Sequence, residues 1–311
     1  MKDISVKGPE MQAFLNKVSG LDEAGGSDRT KRILRRIVQD LCQVIEDEKV
    51  TNDEFWAAAG WLTELGKERE VALAIAGLGI EHWLDLRLDA VEAIAGIEGG
   101  TPRTIEGPLY VAGAPVEREE ARLDDGNTPG EVLYMSGQVK DTHGKPLPDA
   151  VVEVWHADGK GNYSYFDPTQ SAYNLRRTIQ AGAEGRYGFR SVMPVGYAVP
   201  PQGPTKDLLD QLGRHGNRPA HIHFFISAPG YRKLTTQINI DGDRFLHDDF
   251  AFATRDGLIP PIERVTDPGE IEKRGLTGPF NRIVFDFVLH PESIPAPSTE
   301  VHRVRALEGE E

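Results

Sequence analysis

The chain contains a single cysteine, Cys42, among its 311 residues. One thiol cannot form a disulfide within the chain, so the cysteine content gives no indication of an oxidising compartment. No stretch approaches the ~18 apolar residues of a membrane-spanning helix. The first ten residues, MKDISVKGPE, also lack the apolar core of a signal peptide. We therefore expect a cytoplasmic protein that does not bind membranes.

Basic residues are scarce as well. The chain has 35 Lys and Arg residues against 49 Asp and Glu residues, which gives a formal net charge of −14. Nucleic-acid-binding surfaces are basic, so this balance argues against that class of partner. A hydrophobic content of 39% and a charged content of 27% are typical of globular proteins. The length is sufficient for one large domain or two ordinary ones.

Hydrophobic periodicity divides the chain into two halves. Up to about residue 100 the apolar spacing is helical, as in the stripe that includes Ile33, Ile37 and Leu41. Gly77 and Gly79 are weak points in a further helical region predicted from about residue 70 to residue 97. The following segment, 101–130, contains several prolines and glycines and is predicted to be an extended connector.

From residue 131 the apolar period changes to two, which predicts strands. The predicted strands are Leu133–Val139, Ala150–Ala157, Arg186–Met193, Ala220–Ser227, Leu234–Ile240 and Ile283–His290. The first two are expected to form a hairpin across the turn-like sequence THGKPLPD, and the polar tail after Pro291 is expected to be peripheral. Short strands separated by Gly- and Pro-rich loops favour an antiparallel sandwich. The predicted fold class is therefore α+β, with a helical domain at 1–100, a connector at 101–130 and a β-sandwich domain at 131–311.

Two histidines on one predicted strand are candidate metal ligands. Residues two apart on a strand point to the same side, so His221 and His223 can converge on one ion. Apolar neighbours such as Phe224 favour this interpretation, because buried polar rings need partners. Two histidines do not complete a site, and no nearby HxD or HxE motif supplies the further ligand that zinc or Fe(II) usually has.

Two tyrosines lie in Gly-rich loops where no core requires an aromatic ring. Tyr163 follows the strand VVEVWHA, and Tyr197 lies in the loop MPVGYAVPPQGP. A phenol ionises only beside a strong cationic Lewis acid, and Fe(III) is such an ion. Two phenolates and one hydroxide would neutralise its three charges. A structural metal in a non-catalytic sandwich, or a zinc or copper enzyme of the jelly-roll type, also fits the histidine pair.

Long motifs in a fixed order resemble the catechol dioxygenases of the intradiol ring-cleaving family. They include GGTPRTIEGPLYVAGAP at Gly99–Pro115, VVEVWHADGKGNYSYFDPTQ at Val151–Gln170, and PQGPTKDLLDQLGRHGNRPAHIHFFISAPGY at Pro201–Tyr231. The resemblance covers nearly the whole chain. It implies cleavage of catechol by O2 to cis,cis-muconate in aromatic catabolism. Hydroxyquinol or a substituted catechol is the alternative substrate.

The resemblance also implies which residues form the site. One Fe(III) per subunit would be bound by Tyr163, Tyr197, His221 and His223, with a hydroxide as the fifth ligand. Arg218 would face the substrate and Gln237 would lie behind the ligands, with Tyr197 leaving the metal to accept a proton. The implied substrate-binding residues are Leu73, Ile105, Pro108, Leu109, Arg218, Phe250 and Ala251.

Two further expectations follow from the same resemblance. Leu73 comes from the helical half, which is therefore expected to cover the substrate cleft. That half is also expected to form a homodimer interface, with a possible bound lipid. One segment departs from the family, because it reads PVGYA where relatives commonly read PSGYG. Val195, Ala198 and Val199 are therefore expected to affect substrate preference.

Overall fold

A computed structural model describes residues 5–292, 298–299, 301–303 and 305–307. The chain divides into two compact units, Met1–Lys67 and Glu68–Glu311. The helices of the first unit are α1 (Pro9–Val18), α2 (Asp28–Asp47) and α3 (Asn52–Lys67). The predicted apolar stripe lies on α2, none of whose residues is buried.

The second unit begins with α4 (Val71–Gly77) and α5 (Ile80–Ile94). The predicted break is confirmed, because α4 ends at Gly77 and Gly79 precedes α5 with a φ of +73°. Glycine adopts this left-handed backbone conformation without a steric penalty. No helix among the described ranges is long and apolar enough to cross a membrane.

The remaining elements are strands, most of them short, and two further helices. They are β1 (Val111–Ala112), β2 (Val116–Arg118), β3 (Glu120–Arg122), β4 (Val132–Asp141), β5 (Val151–His156), β6 (Arg176–Gln180), β7 (Arg186–Val192), β8 (Tyr197–Ala198), α6 (Pro204–Gln211), β9 (Asn217–Arg218), β10 (His221–Ser227), β11 (Leu234–Asn239), β12 (Glu263–Val265), α7 (Pro268–Lys273), β13 (Phe280–Val284), β14 (Phe287–Leu289) and β15 (Ala306–Leu307).

Two sheets enclose the main core. One has the order β11-β10-β5-β6-β2, and the other has the order β12-β13-β4-β7-β3 with β14 also paired to β4. The predicted α+β class is confirmed, but the purely antiparallel arrangement is wrong. The pairs β2–β6, β3–β7, β13–β4 and β14–β4 are parallel. Parallel pairs need long crossovers, and the helices and loops between β4 and β13 provide one.

Two details of the strand prediction are also wrong. β4 and β5 do not form a hairpin, because they belong to different sheets and the chain crosses over after the turn. The predicted strand Ile283–His290 is two strands, interrupted at Asp286. Its carboxylate accepts the backbone N–H of Gln138 at 2.9 Å and the ammonium of Lys140 at 2.8 Å, which replaces regular pairing there.

The C-terminal tail is not wholly peripheral, since β15 pairs in parallel with β1. The division into domains at residues 100 and 130 stays a prediction.

The position of β10 in the core determines where the two histidines point. Ile222, Phe224 and Ile226 are buried in the core between the sheets. Strand alternation therefore directs His221 and His223 to the opposite face.

Candidate active site

His221 and His223 lie at the start of β10, which is flanked by β5 and β11. Their side chains converge as the spacing predicts, with 3.0 Å between the two Nε2 atoms. On the neighbouring strands, Trp155 and Gln237 lie directly opposite His223. The Trp155 ring stacks on the His223 ring at a centroid distance of 4.9 Å and an interplanar angle of 5°. This stacking fixes the orientation of the imidazole.

Both imidazoles are neutral, and that of His221 presents a lone pair at Nε2. The Nδ1 atom of His221 lies 2.6 Å from the carbonyl oxygen of Pro219. A carbonyl only accepts, so Nδ1 carries the proton and Nε2 is left unprotonated. Burial, reinforced by the charge of Arg218, lowers the pKa of His221 to about 3. Burial and the adjacent His221 lower the pKa of His223 well below its usual value.

The two tyrosines lie beside this histidine pair. Tyr163 is in the loop after β5, and Tyr197 begins β8. The ring centroids are 5.6 Å apart for the two tyrosines and 5.5 Å apart for Tyr197 and His221. Tyr163 is buried, and its hydroxyl forms no well-formed hydrogen bond with the described residues. Burial, and then the neighbouring Tyr197 phenol, raise the pKa of Tyr163 well above its usual value.

These four side chains fit a trivalent metal. Neutral imidazoles are nitrogen ligands, and a buried phenol without a well-formed hydrogen bond is costly unless a cation binds it. Among the described residues, no group of three or more His, Cys, Asp or Glu side chains could hold a metal ion. Carboxylate-based Fe(II) sites and Cys/His zinc sites therefore have no counterpart in that part of the chain. Phenolate oxygens are suited to Fe(III), as haem proteins with a tyrosine ligand illustrate.

Arg218 is held rigidly against the histidines. It lies on β9, opposite Tyr197 on β8, and is buried. Its Nη1 atom lies 3.1 Å from Nε2 of His221, and its Nη2 atom donates to Oε1 of Gln237 at 2.9 Å. Burial lowers the pKa of Arg218, but the Asp249 carboxylate and the two tyrosines together raise it above its usual value. Arg218 is therefore a fixed positive charge beside the site.

Asp249 is a residue that the sequence analysis missed. Its two carboxylate oxygens accept from Nε and Nη2 of Arg218 at 3.2 and 3.1 Å. They also accept the backbone N–H groups of Ala251 and Ala253. The sequence HDDF around Asp249 is typical of a solvated loop. Only the fold shows that the Asp249 carboxylate is buried and paired with Arg218.

The predicted pocket residues fall into two apolar clusters. Ile105, Phe250 and Ala251 are buried together, and Leu73 packs against them. Leu109 packs against the cluster formed by Trp155, Ala157, Tyr163 and Phe225. Pro108 is half-buried and follows Gly107, where an added Cβ atom would lie 3.7 Å from Cε1 of His223. Leu109 therefore packs near Tyr163 and Pro108 follows a residue next to His223, whereas the other four predicted residues form a separate apolar cluster.

The segment that departs from the family is mostly exposed. Val195 and Ala198 are exposed, whereas Val199 is buried and packs in the same cluster as Ile105 and Phe250. Of the three, Val199 is therefore the one that packs against predicted pocket residues.

Comparisons with known proteins agree with this arrangement. Residues 105–291, more than half of the chain, match the sequence model of the family described as Dioxygenase. Residues 27–96 match the model described as Catechol dioxygenase N terminus. A catechol 1,2-dioxygenase 2 from Acinetobacter lwoffii is 63% identical over 254 residues, which cover 82% of this chain and 92% of the relative.

A solved structure and a more distant relative complete the comparison. The structure of catechol 1,2-dioxygenase from Pseudomonas arvilla C-1 has a TM-score of 0.93 and 55% identity, covering 98% of this chain and 99% of that one. A hydroxyquinol 1,2-dioxygenase from Nocardioides simplex is 32% identical over 291 residues, which cover 90% of this chain and 95% of the relative. Both profile matches and these relatives together show that the chain belongs to the catechol dioxygenase family of intradiol ring-cleaving enzymes.

Proposed function

We propose that this chain is a catechol 1,2-dioxygenase that uses O2 to open catechol between its two oxygenated carbons, giving cis,cis-muconate in aromatic catabolism. Enzymes of this family generally depend on iron. We assign one Fe(III) per subunit to Tyr163, Tyr197, His221 and His223. The convergence of two phenols with two neutral imidazoles 3.0 Å apart at Nε2 is the observation that supports this assignment.

The fixed ligands are Tyr163 and the two histidines. A bound ferric ion would supply a Lewis acid for the catechol oxygens and a route for electrons toward O2. Tyr163 is only 4% exposed, and Trp155 stacks on His223, so these side chains have little freedom to move. These three side chains would therefore hold a bound metal in one position.

Tyr197 is suited to accept a proton from the substrate. Its side chain is partly exposed, and it lies in a β8–β9 ribbon of only two residue pairs. A phenolate at this position would be able to act as a base toward a substrate bound beside it. It can then take one of the two hydroxyl protons that catechol loses on binding.

Arg218 supplies electrostatic stabilisation. The guanidinium is fixed by Asp249 and Gln237, so it needs no reorganisation when negative charge develops on the substrate oxygens. Gln237 has its own support, because its Nε2 atom donates to Oδ1 of Asn239 at 3.1 Å. Leu73, Ile105 and Phe250 provide apolar surface for the ring and exclude water.

Catechol is favoured over hydroxyquinol on two grounds. The identity to the catechol enzyme is 63%, against 32% for the hydroxyquinol enzyme. The third hydroxyl of hydroxyquinol would also need a polar partner, whereas the assigned pocket side chains are apolar apart from Arg218. An unpaired buried hydroxyl costs roughly 1–3 kcal/mol. We therefore expect hydroxyquinol to be a poorer substrate than catechol.

The test is product analysis under labelled dioxygen. With iron-loaded protein and ¹⁸O2, catechol should yield cis,cis-muconate that carries both labelled atoms. The kcat/KM for catechol should be at least about tenfold higher than that for hydroxyquinol, because the third hydroxyl of hydroxyquinol would have no polar partner. A product cleaved outside the two oxygenated carbons, or a preference for hydroxyquinol, would show that the assignment is wrong.

We also propose that the helical region forms a homodimer in the cytoplasm. On α2 the apolar stripe is exposed in the single chain, with exposed fractions of 58% for Ile37 and 47% for Leu41. A row of exposed apolar residues at helical spacing is typical of an interface. Sedimentation equilibrium should give twice the chain mass, and a monomer at micromolar concentration would contradict the proposal. Mass spectrometry of an organic extract would reveal a lipid bound there.

A further inference from the structure

The C-terminal segment reaches the back of one pocket wall. The wall is the segment Ile105–Leu109, which carries three of the assigned substrate-binding residues. At its centre, Glu106 is only 6% exposed and forms a bidentate ion pair with Arg305. The distances are 2.8 Å from Nε to Oε1 and 2.9 Å from Nη2 to Oε2. Paired hydrogen bonds of this type fix orientation as well as position.

A second arginine reaches the same wall through Glu81 on α5. Nη1 of Arg303 lies 3.2 Å from Oε1 of Glu81. The same oxygen accepts the backbone N–H groups of Glu106 at 3.2 Å and Gly107 at 3.4 Å. Gly107 has a φ of +68° and lies next to His223. Both links therefore end at the part of the wall that adjoins an assigned metal ligand.

Arg305 also joins the wall to the strand that carries the histidines. Its guanidinium carbon lies 5.5 Å from the ring centroid of Tyr110 and 5.2 Å from that of Phe225. Phe225 is on β10, two residues after His223. Cation–π contacts of this kind add to the ion pair when they are partly desolvated. The Arg305 side chain is 25% exposed, so the pair is better shielded from water than a surface pair.

We propose that Arg305 and Arg303 are positioning residues for the substrate, because they hold Ile105, Pro108 and Leu109 at the distance that the catechol ring requires. Neither arginine touches the assigned ligands. Loss of the link would let the wall move, which weakens binding of the ring while the metal ligands stay in place. This inference rests on the proposed function.

The decisive variant is Arg305→Ala. We expect the KM for catechol to rise by about tenfold, the free-energy equivalent of one well-formed charge-assisted pair. We expect kcat to change by less than about threefold, because the groups at the reacting atoms are untouched. Iron content should equal that of the unmodified chain. Amide hydrogen exchange within residues 105–109 should be faster.

The matched control is Arg282→Ala, which removes another bidentate Arg–Glu pair. Arg282 binds Glu263 at 2.9 and 2.7 Å on the edge of the other sheet. This variant should change neither KM nor exchange at 105–109. If Arg305→Ala does not fold, Glu106→Gln serves the same purpose, since it removes the charge and keeps the volume.

The double variant R305A/E106Q separates a specific link from a general loss of stability. Its KM should match that of R305A within about twofold, because the two side chains act through one interaction. Unchanged KM and unchanged exchange in both single variants would overturn the inference. If the unmodified iron-loaded chain fails to cleave catechol, the proposed function is wrong, and hydrogen exchange alone then decides whether the arginines hold the wall.

Discussion

Replacing Tyr163 with phenylalanine is expected to weaken iron binding at least about 100-fold and to abolish catechol cleavage. Mutating a residue that only hydrogen-bonds to a metal ligand already lowers metal affinity by about 10- to 100-fold, and Tyr163 is assigned as a ligand itself. The change removes one hydroxyl and leaves the ring in its packing. That hydroxyl is buried and has no well-formed hydrogen bond with the described residues. The iron-free variant should therefore be more stable than the unmodified iron-free chain by about 1 kcal/mol, because an unsatisfied polar group is removed.

The control for this prediction is Tyr187→Phe. Tyr187 is equally buried, but its hydroxyl donates to the carbonyl oxygen of Phe285 at 2.9 Å. Its loss should destabilise the protein by about 1 kcal/mol and leave iron content unchanged. Elemental analysis and urea unfolding of the iron-free proteins measure both quantities. A Tyr163→Phe protein with one iron per chain and ordinary activity would remove Tyr163 from the site.

Replacing Arg218 with glutamine is expected to lower kcat by about 10²- to 10³-fold, as is typical when one preorganised electrostatic group is lost. Iron should remain bound, because Arg218 is not a ligand.

Asp249→Asn should lower kcat/KM by roughly 10- to 100-fold, because it removes the charge that fixes the guanidinium. The backbone N–H groups of Ala251 and Ala253 each donate to one carboxylate oxygen. In the variant, the asparagine NH2 group would replace one of these oxygens and could not accept from the N–H group that faces it.

Steady-state kinetics with matched iron content measures this second prediction. Asp286→Asn is the control, because Asp286 also accepts a backbone N–H and pairs with Lys140, but on the other sheet. It should leave kcat/KM within about twofold of the unmodified value, since surface pairs contribute little. An Asp249→Asn variant with unchanged kcat/KM would show that Arg218 does not depend on this partner.

The sequence alone predicted the fold class and the convergence of the two histidines. Two histidines on one strand face must converge, because alternation along a strand is local geometry. The tyrosines were found only as unusual residues in Gly-rich loops, and the resemblance to the family was needed to group them with the histidines. Asp249 was missed because the burial of a loop carboxylate depends on which charge the fold brings to it.

The errors in the fold have a common physical origin. Strand periodicity was correct for β4 and β5, yet their pairing was not, because pairing depends on contacts distant in sequence. The interruption of the last predicted strand at Asp286 arises from a side chain that replaces a backbone partner on β4. The sequence around Arg303 and Arg305 resembles an exposed polar tail, and only the fold brings these arginines to Glu81 and Glu106.

The central claim is that two tyrosines and two histidines hold a ferric ion that binds catechol. The most direct test is the visible absorption spectrum of the iron-loaded protein before and after anaerobic addition of catechol. We expect a red protein with phenolate-to-iron charge-transfer absorption, a shift of that absorption to longer wavelength with catechol, and product only after O2 is admitted. A colourless, iron-free preparation that cleaves catechol would contradict the account.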